Sequence, residues 1–250
     1  MIDNIFPKGR VFALSDIHGC YKIYEQIKTF LEPNDIVFFI GDAGDRGPRG
    51  WECIKAIYAD PQFIYLKGNH EDMLFEAMLH YPWDYGALAW NGGIPTVEAW
   101  AHEDNADLSW IDKMKNLPLV GWYINKGGDF IIMSHSGYLH PDFEPTSECG
   151  VAYNPPGQEE DYLWDREVLT KTDWDREENT FIVHGHSPIP ICFFGLNKQQ
   201  ELDNWEPNTY WHCAAHMIDI DMGTHYTGWA CLIDLDTGDE HYFETNERAQ

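Results

Sequence analysis

Short apolar runs, each broken off by a cluster of small and polar residues, recur along the chain. Val11-Phe12-Ala13-Leu14, Ile36-Val37-Phe38-Phe39-Ile40 and Phe63-Ile64-Tyr65-Leu66 are rich in β-branched and aromatic residues. At four or five residues they read as buried strands. Between the first two, Ile23, Ile27, Phe30 and Leu31 recur at helical spacing, which predicts an amphipathic helix from Tyr21 to Glu32 closed by Pro33-Asn34-Asp35. Trp51 to Ala59 reads as a second helix. Strand, helix, strand, helix, strand predicts a parallel sheet with right-handed crossovers.

Asp72 to Asn116 reads as mostly helical, with aromatic residues (Phe75, Tyr81, Trp83, Tyr85, Trp90, Trp100, Trp110) expected to serve packing. The break at Asn91-Gly92-Gly93 is expected to bring backbone near a functional site. Leu119 to Ile124 and Phe130 to Met133, joined by Asn125-Lys126-Gly127-Gly128-Asp129, predict a β-hairpin. The proline-bearing stretch 138–160 reads as a long irregular loop. Further strands are expected at Phe181-Ile182-Val183, Met217 to Ile220, Trp229 to Leu235 and His241 to Glu244, the last two joined by the turn Asp236-Thr237-Gly238-Asp239. The acidic stretch Asp173 to Glu178 reads as a solvated face. No repeat, low-complexity linker or boundary divides the sequence, so a single α/β domain over residues 1–250 is expected.

The residues just past each strand give this pattern its chemistry. The first strand runs into Ser15-Asp16-Ile17-His18-Gly19, the second into Gly41-Asp42-Ala43-Gly44-Asp45-Arg46-Gly47, and the third into Lys67-Gly68-Asn69-His70-Glu71. Later strands end in Ser134-His135-Ser136-Gly137 and His184-Gly185-His186. An aspartate after a strand is ordinarily the N-cap of the next helix. Here Asp16, His18, Asp42, Asn69, His135 and His186 repeat one context, and in parallel sheets ligands gather outside the carboxyl ends of the strands. Carboxylate, imidazole and amide donors suit two divalent cations such as manganese, iron or zinc, and the lack of clustered thiolates argues against a structural zinc site.

The totals narrow the partners. With 16 Lys+Arg against 42 Asp+Glu the formal charge is -26, which argues against general nucleic-acid binding or an anionic membrane surface. Six cysteines without CxxC spacing, no signal-like N-terminus and no run long enough to span a bilayer make a reducing cytoplasm the expected compartment. Oligomeric state is not legible.

Asp16-Ile17-His18-Gly19, Gly41-Asp42-Ala43-Gly44-Asp45-Arg46-Gly47, Gly68-Asn69-His70-Glu71, His135-Ser136-Gly137 and Gly185-His186 resemble the ordered motifs of the calcineurin-like metallophosphoesterases. The similarity is greatest to the phosphoprotein phosphatase branch in its short bacterial and phage form. It implies an α/β fold with two mixed β-sheets packed between helices and a dinuclear metal site at the strand C-terminal ends. By this resemblance Asp16 and His18 bind one metal, Asn69, His135 and His186 the other, and Asp42 bridges them. His70 is then the general acid, oriented by Asp45, while Arg46 and Arg166 (in Leu163-Trp164-Asp165-Arg166-Glu167) grip the phosphate, with Asn69 also at the phosphate side. The implied activity is that of a serine/threonine, or dual-specificity, protein phosphatase. It would use a hydroxide activated by two divalent ions, manganese before iron or zinc, on a phosphorylated protein or small phosphoester. Two metals about 3.5 to 4 Å apart can align such a hydroxide with phosphorus, and the arginine fork matches the remaining oxygens.

Three features depart from the pattern. Ser15 stands where glycine is usual, His184 precedes His186 by two residues and is read as an ordinary strand residue in preference to a partner of the site, and Gln199 to His212 is an added segment that could form a substrate-selective flap. Other classes fit less well. Asp219-Ile220-Asp221 and Asp234-Leu235-Asp236 have the spacing of haloacid-dehalogenase-like phosphatases but are followed by glycine two positions on, and no cysteine precedes an arginine at phosphate-cradle spacing. The serious alternative is a symmetrical dinucleoside-tetraphosphate hydrolase of the same fold. Those enzymes share Asp-x-His-Gly-Cys but usually lack the aspartate matching Asp45. A metal-binding scaffold without activity is the alternative of another class.

Overall fold

The computed structural model describes residues 7–103, 105–145, 147–170, 178–212 and 216–248. In chain order the first half contains β1 (Val11–Leu14), α1 (Tyr21–Phe30), β2 (Ile36–Phe39), α2 (Gly50–Ala59), β3 (Phe63–Tyr65), α3 (Asn69–His80), α4 (Gly86–Trp90), α5 (Ile94–Glu103) and α6 (Ser109–Lys115). The second contains β4 (Val120–Ile124), β5 (Phe130–Ser134), β6 (Cys149–Ala152), α7 (Glu159–Trp164), β7 (Thr180–His184), α8 (Ile189–Cys192), α9 (Gln199–Leu202), β8 (Tyr210–His212), β9 (Met217–Asp219), α10 (Thr224–Thr227), β10 (Trp229–Asp234) and β11 (Glu240–Glu244). Among the described residues no helix is long and apolar enough to cross a membrane.

Two sheets result. The first has the order β11-β10-β1-β2-β3, with β1, β2 and β3 parallel, as the strand-helix alternation predicts, and β10 antiparallel to β1. The second has the order β6-β4-β5-β7-β9-β8, in which β5, β7 and β9 run parallel and the β4–β5 hairpin forms as expected.

Side-chain alternation along each strand assigns the faces. Phe12 and Leu14 of β1 enter a core with Ile23 and Ile27 of α1, Ile54 and Ile57 of α2 and Leu74 of α3. Val11 and Ala13, pointing the other way, meet Ile131, Met133, Val183 and Ile218 of the second sheet. The far face of that sheet is covered by Phe143, Tyr162 and Leu163, which pack on Trp122, Ile132 and Ile182. Helices, sheet, sheet and a helix-and-loop cover thus form successive layers, and each fully buried Ile, Leu or Phe contributes about 1.5 to 3 kcal/mol. The two sheets approach closely where β4 carries Gly121, since a Cβ there would lie 2.8 Å from the Phe38 ring.

Two expectations need correction. The stretch 138–160 is not wholly irregular, because Cys149–Ala152 within it is the edge strand β6, paired with β4. Nor is Gln199 to His212 a free flap. Its end, Tyr210–His212, is edge strand β8 on β9, and Gln199 ties α9 to the Tyr226 carbonyl (3.2 Å). Of the acidic stretch Asp173 to Glu178, only Glu178 is among the described residues, and Cys213 also lies outside them.

Candidate active site

Hydrogen bonding continues past the ends of β1 and β2. Asp16 N donates to the Gly41 carbonyl (3.1 Å), His18 N to Asp42 (3.1 Å) and Gly19 N to Ala43 (2.8 Å). These loops require backbone that side-chain-bearing residues seldom adopt. Asp16, His18, Asp42, Asp45, Arg46 and His186 have φ of 50°, 41°, 61°, 64°, 59° and 68°. Each such residue costs on the order of 1 to 3 kcal/mol and persists only where its surroundings over-determine it.

The buried carboxylate of Glu71, in the first turn of α3, supplies part of that determination. It accepts from Asp42 N (2.8 Å), Ala43 N (2.9 Å), Gly68 N (2.9 Å) and the Tyr65 hydroxyl (2.7 Å), locking the β2 and β3 exits together. Glycine is required at this junction, because a Cβ on Gly68 would fall 2.2 Å from Asp42 Oδ1. The break at Asn91-Gly92-Gly93 does reach the site, as the Gly92 carbonyl accepts from Arg46 N (3.0 Å).

Asp16, His18, Asp42, Asn69, His135 and His186 converge, all of them buried. Ligand atoms of His18, Asp42 and His70 lie within 4.8 Å of one another, as do those of Asp16, Asp42 and His135, and Asp42 belongs to both groups. His135 Nε2 is 3.0 Å from Asn69 Oδ1 and 3.4 Å from Asp42 Oδ1, His186 Nδ1 is 3.3 Å from Asn69 Oδ1, and His186 N donates to Asp16 Oδ2 (3.1 Å). His18 Nε2 is 3.6 Å from Asp42 Oδ2 and 3.8 Å from Asp16 Oδ1.

This donor set fits divalent cations. The Asp16 carboxyl is raised to about 7 by burial and the nearby Asp42, and Asp42 to about 6 chiefly by burial. Burial holds His18, His135 and His186 below the ordinary histidine value, in the neutral form that ligates metals. His135 Nδ1 is 2.8 Å from the Ile40 carbonyl, to which it donates, so its Nε2 lone pair faces the Asn69 and Asp42 oxygens. Three lone-pair atoms so placed repel one another unless a cation lies among them, and a cation also reverses the cost of two adjacent buried carboxylates.

His70 Nδ1 lies 2.7 Å from Asp45 Oδ2, and Arg46 spans the set, with Nη1 2.9 Å from His18 Nε2 and Nη2 2.8 Å from His70 Nε2. Burial opposes protonation of His70, but Asp42 and Asp45 outweigh it and raise the pKa. Arg166 stands apart from these candidate ligands. It is exposed, with Nη1 4.0 Å from Cys192 Sγ, yet its charge helps lower the pKa of His186. It follows α7, which is fastened beside His135 by Ser136 Oγ donating to the Asp161 carbonyl (2.8 Å) and by Lys67 Nζ to Glu159 Oε1 (2.6 Å). His184 lies on β7 against Asp219 (3.9 Å) and outside both groups of ligand atoms.

Sequence reasoning weighed Asp219 and Asp221 only as the spacing of another phosphatase class and did not place them at the site, and it overlooked His225. Both aspartates are buried and raised well above the ordinary carboxylate value, first by that burial. Asp16 adds to the effect at each, and His225 stacks edge-on against His18 with ring centroids 4.8 Å apart. The signal was the one used elsewhere, since β9 also runs into polar residues at the carboxyl end of a parallel strand.

Known proteins share the sequence and the fold. A symmetrical bis(5'-nucleosyl)-tetraphosphatase from Legionella pneumophila (strain Lens) is 27% identical over 147 residues, covering 56% of this chain and 49% of that protein. Serine/threonine-protein phosphatase 2 from Escherichia coli (strain K12) is 33% identical over 77 residues, 30% of this chain and 35% of that one. The chain therefore spans about half or less of the length of these relatives. Among solved structures, a protein serine/threonine phosphatase from Saccharomyces cerevisiae superposes with TM-score 0.56 at 14% identity, covering 98% of this chain and 83% of that one. A metallophosphoesterase from Sphaerobacter thermophilus gives TM-score 0.53 at 15% identity, covering 96% and 88%. The sequence profile of the calcineurin-like phosphoesterases matches residues 9–220, from the approach to β1 to the exit of β9, and the chain belongs to that family.

Proposed function

We propose that this metallophosphoesterase hydrolyses phosphomonoesters, with phosphoserine and phosphothreonine in proteins as its substrates. Asp16 and His18 would hold one divalent ion and Asn69, His135 and His186 a second, Asp42 being shared, with manganese the first choice. When bound, the ions supply Lewis-acid polarisation of the phosphoryl oxygens and an acidified water. The other residues bind, orient and move protons. Because His70 Nδ1 donates to Asp45, Nε2 is the atom that gives a proton to the leaving oxygen. Arg46 serves the phosphoryl oxygens from its place beside His18 and His70, and Arg166 approaches from the exposed side. The Asp45–His70 contact at 2.7 Å carries the reading, since a basic alkoxide leaving group needs a positioned acid and the symmetrical tetraphosphate hydrolases usually lack the aspartate at this position.

Hydrolysis of a dinucleoside tetraphosphate is the second reading, favoured by relatives such as the Legionella pneumophila protein. One purified, manganese-supplemented sample offered a phosphoserine peptide and diadenosine tetraphosphate decides between them. Preferential release of inorganic phosphate from the peptide supports the first reading, and preferential cleavage of the dinucleotide replaces it. If even p-nitrophenyl phosphate is untouched by a protein that binds two metals, the chain is a scaffold. The described cysteines are all free, which accords with a reducing, cytoplasmic compartment. The large negative charge accords with the absence of nucleic-acid or membrane partners.

A further inference from the structure

The loop after β9 is built more tightly than its length suggests. Asp219 Oδ1 accepts from Asp221 N (2.9 Å), Asp221 Oδ1 accepts from Gly223 N (2.8 Å), and the Asp221 carbonyl accepts from Ile189 N (2.9 Å). Helix α10 then occupies only Thr224–Thr227, flanked by Gly223 and Gly228 at φ 62° and 83°, and Thr227 Oγ1 donates back to the Met222 carbonyl (3.0 Å). The product of this construction is the placement of His225.

That residue is 2% exposed, and neither ring nitrogen has a hydrogen-bond partner among the described residues. Its ring meets His18 edge-on at 4.8 Å, His18 meets His70 edge-on at 4.7 Å, and Arg46 bonds to the last two. Three imidazoles therefore form a row in the field of one guanidinium, with His225 at the end remote from His70. A buried imidazole N–H left unpaired is costly, so a site that retains one has an acceptor for it. A metal ion would take the lone pair of this ring and leave its N–H without an acceptor. A phosphoryl group, by contrast, brings several strong acceptor oxygens, one of which can take an N–H from the His18 side while Arg46 and Arg166 serve others.

We propose that His225 is a substrate-binding residue whose ring N–H donates to a phosphoryl oxygen on the His18 side of the site, opposite the leaving group. This rests on the phosphoester reading of the site. It assigns α10 and the Asp219–Gly223 loop the task of presenting a neutral donor that complements Arg46.

The test uses the manganese-loaded protein with His225→Phe, which keeps a ring against His18 and Tyr226 but removes both nitrogens, and His225→Gln, which restores an N–H. Inorganic phosphate binding is read by isothermal titration, beside metal content and melting temperature. The Phe variant is expected to bind phosphate about tenfold more weakly, the size of one neutral hydrogen bond. Two metals and the wild-type melting temperature should remain, and Gln should recover much of the loss. The KM for p-nitrophenyl phosphate should rise more than kcat falls. Equal phosphate affinity in wild type and Phe variant would overturn the proposal. So would loss of a metal from the Phe variant, which would make His225 a ligand, or a lowered melting temperature that Gln does not restore, which would make it a packing residue. A wild-type protein that neither binds phosphate nor turns over a phosphoester would instead overturn the phosphoester reading.

Discussion

Of the two nitrogens of His70, Nδ1 faces Asp45 at 2.7 Å and Nε2 faces Arg46 Nη2 at 2.8 Å, the guanidinium proposed to serve the phosphate, so Nε2 is the nitrogen placed to exchange a proton with a substrate. A general acid matters in proportion to the basicity of the oxygen it protonates. His70→Asn is therefore expected to cost on the order of 10² to 10⁴ in rate with a phosphoserine peptide, whose alkoxide is strongly basic. The cost should be much smaller with p-nitrophenyl phosphate, whose leaving group departs nearly unaided. Asp45→Asn should show the same selectivity in milder form, because it loosens the ring and removes a charge that favours its protonated state. Metal content should be unchanged in both variants. Equal losses on the two substrates would show that His70 positions phosphate and does not donate a proton.

Between elements, two buried carboxylates act as pins. Glu71 joins the exits of β2 and β3 through three backbone N–H groups and the Tyr65 hydroxyl. Glu71→Gln turns an amide N–H₂ toward some of those donors, and an unfolding curve is expected to show a loss of about 1 to 3 kcal/mol. Asp35, between α1 and β2, ties the end of α1 to the start of β1, accepting from Arg10 N (2.9 Å), Arg10 Nη2 (2.6 Å) and Glu32 N (2.9 Å). Burial pushes its pKa up, but the hydrogen bonds from Arg10 and the backbone outweigh that and lower it. A depressed folded-state pKa stabilises the protein above the unfolded value of about 3.9, and this is lost as pH falls through the folded value. Asp35→Asn should thus lower the melting temperature at pH 7, with the gap to wild type closing below about pH 4.

Elements with a strong period or a strong ending were legible in the sequence. β1, β2 and β3 are continuous apolar runs, and their exits carry dense motifs. β6 was not legible, because Cys149–Ala152 has a glycine at its second position and lies in proline-bearing chain, where only pairing with β4 makes it a strand. Gly150 is there to admit the Trp122 ring, a long-range constraint that no local pattern expresses. His225 was missed for a related reason, since its place beside His18 comes from β9 lying next to β7 and not from any spacing along the chain.

On the scale of the molecule, a formal charge of -26 surrounds a site that must receive an anion. Such a field slows the approach of like charge and is screened within about 10 Å at 0.1 M salt. For a phosphopeptide flanked by glutamates, kcat/KM is expected to rise as salt is added, and for one flanked by lysines to fall. Identical salt profiles for the two would show that the charge lies too far from the mouth of the site to act on the substrate.

The proposed ligand set is divided between two sheets, with Asp16, His18, Asp42 and Asn69 at strand ends of the first and His135 and His186 at strand ends of the second. The His186 N to Asp16 Oδ2 bond closes a loop of 170 residues. The first sheet alone carries Asp16, His18 and Asp42, the side chains proposed for one ion, but Asn69 is joined by His135 and His186 only when the two sheets pack together. The grip proposed for the second ion is therefore expected to be completed after the folding barrier. Contacts made after the barrier slow escape from the native state without hastening arrival. Stopped-flow traces should accordingly show manganese lengthening the unfolding half-life by a larger factor than it changes the refolding rate, which makes the second ion chiefly a brake on unfolding.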